Sequence, residues 1–152
     1  MLNSAYISIL FWSLDYAVSY KRKAHVLFVG SGDVCRALQA ASVANAIGQA
    51  WIEARAVVLP AALTPAKSVC ALADIDASSQ PLPCLDQANI AWADLLVTLD
   101  EAADQACPPL PAKVQKRCYP FPQPKNPEDW RRVRDAIQQR VEGMIGGMRM
   151  MG

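Results

Sequence analysis

Hydrophobic and polar positions fall into an alternation of short apolar runs and helically spaced stretches. His25 to Val29 (H-V-L-F-V) is a continuous apolar run, the pattern of a strand covered on both faces. It leads through a glycine-containing turn, Gly30 to Val34, into a helical stretch from Arg36 to about Ile47, with Gly48 as its stop. Trp51 to Leu59 reads as a second strand ended by Pro60, and Thr64 to Ala73 as a helix with Thr64 as N-cap and Pro65 in its first position. Ser78 to Pro83 reads as loop, about Leu85 to Ile90 as a short helix, Asp94 to Leu99 as a third strand and Glu101 to Ala106 as a helical turn. After the extended segment forced by Pro108, Pro109 and Pro111, Lys113 to Tyr119 makes a fourth strand. A last helix runs from about Glu128 to Met144, with Trp130, Val133, Ile137, Val141 and Ile145 at helical spacing, and the methionine- and glycine-rich tail is expected to fray.

Strands alternating with helices predict an α/β fold, a three-layer α/β/α sandwich around a four-stranded parallel sheet. Ligands of such sheets bind beyond the carboxyl ends of the strands, which directs attention to the end of the first one, at Val29. The expected organisation is an N-terminal amphipathic helical extension over 1–23, one domain over 24–147 and a flexible tail over 148–152. In the extension, Ser4, Ser8, Asp15 and Ser19 share a narrow polar stripe on an otherwise apolar helix. Packing against its own domain or a second copy, as a homodimer, is expected before lying on a membrane. The apolar stretch is shorter than the roughly 20 residues of a spanning helix, and it lacks the basic start and cleavage site of a signal peptide.

Composition narrows the chemistry. The 152 residues suit one domain, and a net charge of +1 gives no general attraction to nucleic acid. Local basic clusters, Lys21 to Lys23 and Arg131, Arg132 and Arg134, read as solvated helix ends. Five cysteines (35, 70, 84, 107 and 118) with no C-x-x-C spacing indicate neither a disulfide framework nor a zinc site; reduced thiols in the cytoplasm are the expectation. The single histidine, His25, reads as structural. No metal and no cofactor are called for.

The segment Val26 to Ala37 (V-L-F-V-G-S-G-D-V-C-R-A) carries the candidate site. Successive backbone N–H groups of Ser31, Gly32, Asp33, Val34, Cys35 and Arg36, with a helix start, suit a tetrahedral anion, and Arg36 can supply paired hydrogen bonds. This segment resembles the phosphate-binding loop of the low-molecular-weight tyrosine phosphatase and thioredoxin-coupled arsenate reductase family. Ser31, Gly32, Cys35 and Arg36 match, and Asp33 stands for asparagine. Three further landmarks follow in the family's order: Ala73 to Asp76 (A-D-I-D), Val97 to Pro108 (V-T-L-D-E-A-A-D-Q-A-C-P) and Tyr119 to Pro124 (Y-P-F-P-Q-P).

The resemblance also implies what is missing. Gly30 occupies the nucleophilic cysteine's place, Ala37 that of a thiolate-holding serine, Gln123 that of the general acid and Asp100 that of the second redox cysteine, leaving Cys107 as the later one. The leading expectation is a catalytically inactive relative, an oxyanion-binding or regulatory module that holds phosphate, sulfate or arsenate at about millimolar strength, near 4 kcal/mol. The alternative is an enzyme with rearranged cysteine chemistry through Cys35, beside Arg36, and Cys107. A third reading makes the N-terminal helix the important surface and the pocket vestigial.

Overall fold

The computed structural model describes residues 22–31, 34–59 and 83–151. Expectations for the N-terminal helix, the loop positions Gly32 and Asp33, and everything in 60–82 lie outside these residues.

Within them the order is β1 (Ala24–Gly30), α1 (Val34–Ile47), β2 (Ile52–Val58), α2 (Gln87–Trp92), β3 (Leu95–Thr98), α3 (Glu101–Ala106), β4 (Gln115–Cys118) and α4 (Pro127–Met151). The four strands form one sheet in the order β2-β1-β3-β4, with every pair parallel. Strand β1 lies at its centre, and Phe28 sits level with Ala56 on one side and Val97 on the other.

Strand geometry sends alternate side chains to opposite faces, and both faces are covered, so a continuous apolar run is what β1 requires. Val26 and Phe28 pack with α1 and α4; Leu27 and Val29 pack on the opposite side with Leu96, Ile90 and Ala103. Each such side chain contributes roughly 1.5–3 kcal/mol when fully buried. Helix α1 turns small residues (Cys35, Ala37, Ala40 and Ala44) inward, allowing close approach to both sheet and α4. At its end, a Cβ on Gly48 would meet the Ala44 carbonyl at 2.9 Å and Ile52 at 3.3 Å, so the chain can turn this tightly only with glycine. The Asn45 side chain then clasps β2, donating to the Ala54 carbonyl (3.0 Å) and accepting from its N–H (2.8 Å), which covers part of an open sheet edge.

Helix α4 corrects an expectation. It begins with Asn126 accepting from the N–H of Asp129 at 2.8 Å, and it continues to Met151 instead of fraying after Met144. Met144 and Ile145 are buried against the core and Met148 packs on it, while Cβ atoms added at Gly143, Gly146 and Gly147 would meet open space. One anchored face offsets the roughly 1 kcal/mol that each glycine costs a helix. Arg132 and Arg134 pair with Asp129 and Asp135 on the same helix, as a solvated face would.

His25 has a structural place. Its ring stacks on Trp92 (centroids 4.3 Å apart) and Nδ1 lies 2.9 Å from the Trp92 carbonyl, while Arg55 covers the Trp92 ring.

Candidate anion site at the carboxyl end of the sheet

Strand β1 ends at Gly30, whose carbonyl accepts from the N–H of Leu59 at 3.1 Å. The chain passes Ser31 and enters α1 at Val34, so Arg36 lies in the first helical turn directly behind the strand end. Arg36 is only 4% exposed. One of its terminal nitrogens donates to the carbonyl of Phe121 at 2.6 Å; the other lies 3.5 Å from Oδ2 of Asp100. The proline-rich segment after β4 is itself pinned, since the Phe121 N–H donates to the Leu99 carbonyl at 3.0 Å. Two chain segments, the one after β3 and the one after β4, thus converge on the guanidinium carried by α1.

Asp100 is the hub of this mouth. It directly follows the turn out of β3 and caps α3, with Oδ1 accepting from the Ala103 N–H at 2.6 Å. The same oxygen accepts from the Ser31 hydroxyl at 2.7 Å, and Oδ2 accepts from the Ser31 N–H at 3.2 Å. From the sequence Asp100 stands out only as a replaced cysteine. The readable signal was its type and place: an aspartate immediately before a helix is a preferred N-cap. Its reach to Ser31 and Arg36 depends on β1 and β3 being neighbours, which no local pattern states.

The cleft above these groups, of about 420 Å³, is lined by Ser31, Arg36, Asp100, Glu101, Phe121 and Gln123 among others. Ser31, Arg36, Asp100 and Gln123 therefore line one cleft. Val34 contributes the start of α1, whereas Ala37 is wholly buried in the core beneath.

The cysteines sit differently from the expectation of reduced thiols. Cys35 is wholly buried and disulfide-bonded. Cys84, Cys107 and Cys118 are free, and Cys70 lies outside the described residues. Spacing cannot reveal such a bond, because pairing depends on which Cα atoms the fold brings within about 7 Å. Cys107 is the C-cap of α3 and does not line the cleft. Burial pushes its thiol pKa up, with Asp104 adding to the rise and Lys116 opposing it. Among the described residues no group of three or more histidine, cysteine or acidic side chains is placed to hold a metal. No helix there is long and apolar enough to cross a membrane.

No family model matches the chain. It is 34% identical to arsenate reductase 1 of Staphylococcus haemolyticus over 129 residues, spanning 79% of this chain and 93% of that protein. Its fold matches a solved arsenate reductase in the phosphate binding state, with a TM-score of 0.60 at 23% identity, covering 82% of this chain and 98% of the other. It also matches Vibrio vulnificus Wzb in complex with benzylphosphonate, with a TM-score of 0.63 at 15% identity, covering 83% and 99% respectively. Similarity of this extent, together with the parallel four-stranded sheet and the arginine-bearing βα turn, places the chain in the arsenate reductase family, on the low-molecular-weight phosphatase fold.

Proposed function

We propose that this chain keeps its family's oxyanion-site scaffold without the attacking thiol, and acts as a non-catalytic, cytoplasmic oxyanion-binding or regulatory module. The observation that carries this reading is Gly30. It closes β1 directly before Ser31, at the position the loop resemblance assigns to the nucleophile, and it offers only backbone. The nearest sulfur in the motif does not substitute for it: Cys35 is wholly buried and disulfide-bonded. Gln123, on the rim of the cleft, carries an amide that cannot donate and reclaim a proton at neutral pH. What persists is the recognition half of the site: a buried arginine behind a strand end, with phosphate, sulfate or arsenate as ligands of suitable shape and charge.

Assays for phosphomonoester hydrolysis, and for arsenate reduction coupled to thioredoxin, test this. Losing a catalytic nucleophile costs about a millionfold in subtilisin, so both rates should stay at background. Turnover at ordinary enzymic rates overturns the reading.

A second reading is an arsenate reductase or phosphatase using Cys35 and Cys107 in a rearranged sequence. It is favoured by the reductase relative's 34% identity over 93% of its length. The raised thiol pKa of Cys107 weighs against it, because thiolate is the reacting form. Activity that disappears in Cys107→Ser would establish this second reading.

A further inference from the structure

We propose that Asp100 is a built-in counter-anion that occupies the oxyanion site's own donors and sets how weakly the site takes an external oxyanion. This rests on the oxyanion-site reading above and concerns the regulation of that same site. A carboxylate offers about four acceptor positions; three accept hydrogen bonds here and Arg36 faces the remaining side as an ion pair. Oδ1 takes the Ser31 hydroxyl and the Ala103 N–H; Oδ2 takes the Ser31 N–H and faces Arg36 at 3.5 Å. A tetrahedral anion settling over the βα turn needs the Ser31 N–H and the Arg36 guanidinium, the two donors that Asp100 already holds.

Charge acts in the same direction. Among the described residues that line the cleft, Arg36 carries the positive charge, and Asp100 and Glu101 carry two carboxylates. The Asp100 side chain is only 12% exposed, so water screens it poorly. An arriving dianion therefore exchanges one anionic partner of Arg36 for another and meets repulsion while doing so. Bonds from Asp100 to Ser31 also tie the end of β1 to the turn after β3. The site is preorganised and self-neutralised at once.

The test is calorimetric titration of the full chain with inorganic phosphate, and separately with sulfate. Three forms are compared: the natural chain, Asp100→Ser, and Asp100→Ser combined with Arg36→Lys. Serine keeps an N-cap for α3 while removing the charge. The natural chain should bind no tighter than about 1 mM. Asp100→Ser should bind phosphate at least about tenfold more tightly, and Arg36→Lys should reverse most of that gain by removing the planar fork. Circular dichroism establishes that each variant is folded; should Asp100→Ser not fold, Asp100→Asn, nearly isosteric and still able to cap, is expected to show the same gain. If the natural chain and the Asp100 variant bind phosphate equally well, the oxyanion site stands and the counter-anion falls. If neither binds at all, both fall.

Discussion

The two ends of the β1–β3 ladder are built with the same device and have different consequences. Asp94, just before β3, accepts from the N–H of His25 at the start of β1 (2.9 Å); Asp100, just after β3, accepts from the N–H of Ser31 beyond the end of β1 (3.2 Å). Each carboxylate also meets an arginine. At the amino end Arg22 forms a two-pronged pair with Asp94 at 2.8 and 2.9 Å, but more than half of its side chain is exposed. At the carboxyl end Arg36 meets Asp100 at the longer distance of 3.5 Å, with both largely buried. The better geometry therefore sits where water screens it, and the looser pair sits where little does. Burial, more than bond length, separates a surface tie from a group able to govern a binding site.

The packed face sets a scale for both ties. Trp130 is 2% exposed between α4 and the sheet, so Trp130→Ala should cost about 3–5 kcal/mol in urea unfolding. At the carboxyl end, Asp100→Ala should cost about 2–4 kcal/mol, combining a lost helix cap with a buried guanidinium left short of its carboxylate. Added phosphate should restore part of that loss and leave the Trp130 variant's deficit unchanged. At the amino end, Asp94→Ala should cost about 1 kcal/mol or less. Equal losses at Asp94 and Asp100 would break the contrast between the two ends.

The smallest effect is one of pH. Burial pushes the Asp94 carboxyl upward, but the Arg22 hydrogen bonds, the His25 N–H and the nearby positive charge outweigh it, so its pKa lies below the ordinary value. A carboxylate lowered by folding stabilises the native state at pH above the usual carboxylate range, about 4, and that stability is lost as pH falls through the lower folded value. Acid titration of stability should show this step in the natural chain, and Asp94→Ala should flatten it.

Much of this molecule was legible beforehand. The apolar run at Val26–Val29, the helical spacing from Trp130 to Val141 and the glycine at position 48 each express a local rule: double-sided burial, one buried face, a turn without a Cβ. The end of α4 departs from local pattern. Gly143, Gly146 and Gly147 predict a broken helix, and only the packing of Met144, Ile145 and Met148 against the core keeps it intact. In the candidate site, Ser31 and Arg36 were evident as a loop and its arginine. The Phe121 carbonyl was not, since any residue type can offer one.

Local pattern thus determined by itself the α/β class, the position of the βα turn and the absence of a sulfur at Gly30, because each follows from residue type and near-neighbour spacing. Tertiary structure alone decided that Asp100 meets Ser31 and Arg36, that Phe121 closes over the same guanidinium, and that Cys35 is bonded inside the core. Those pairings join residues as much as 85 positions apart along the chain. Such contacts depend on strand order and on which groups burial strips of water, neither of which a short stretch of sequence encodes.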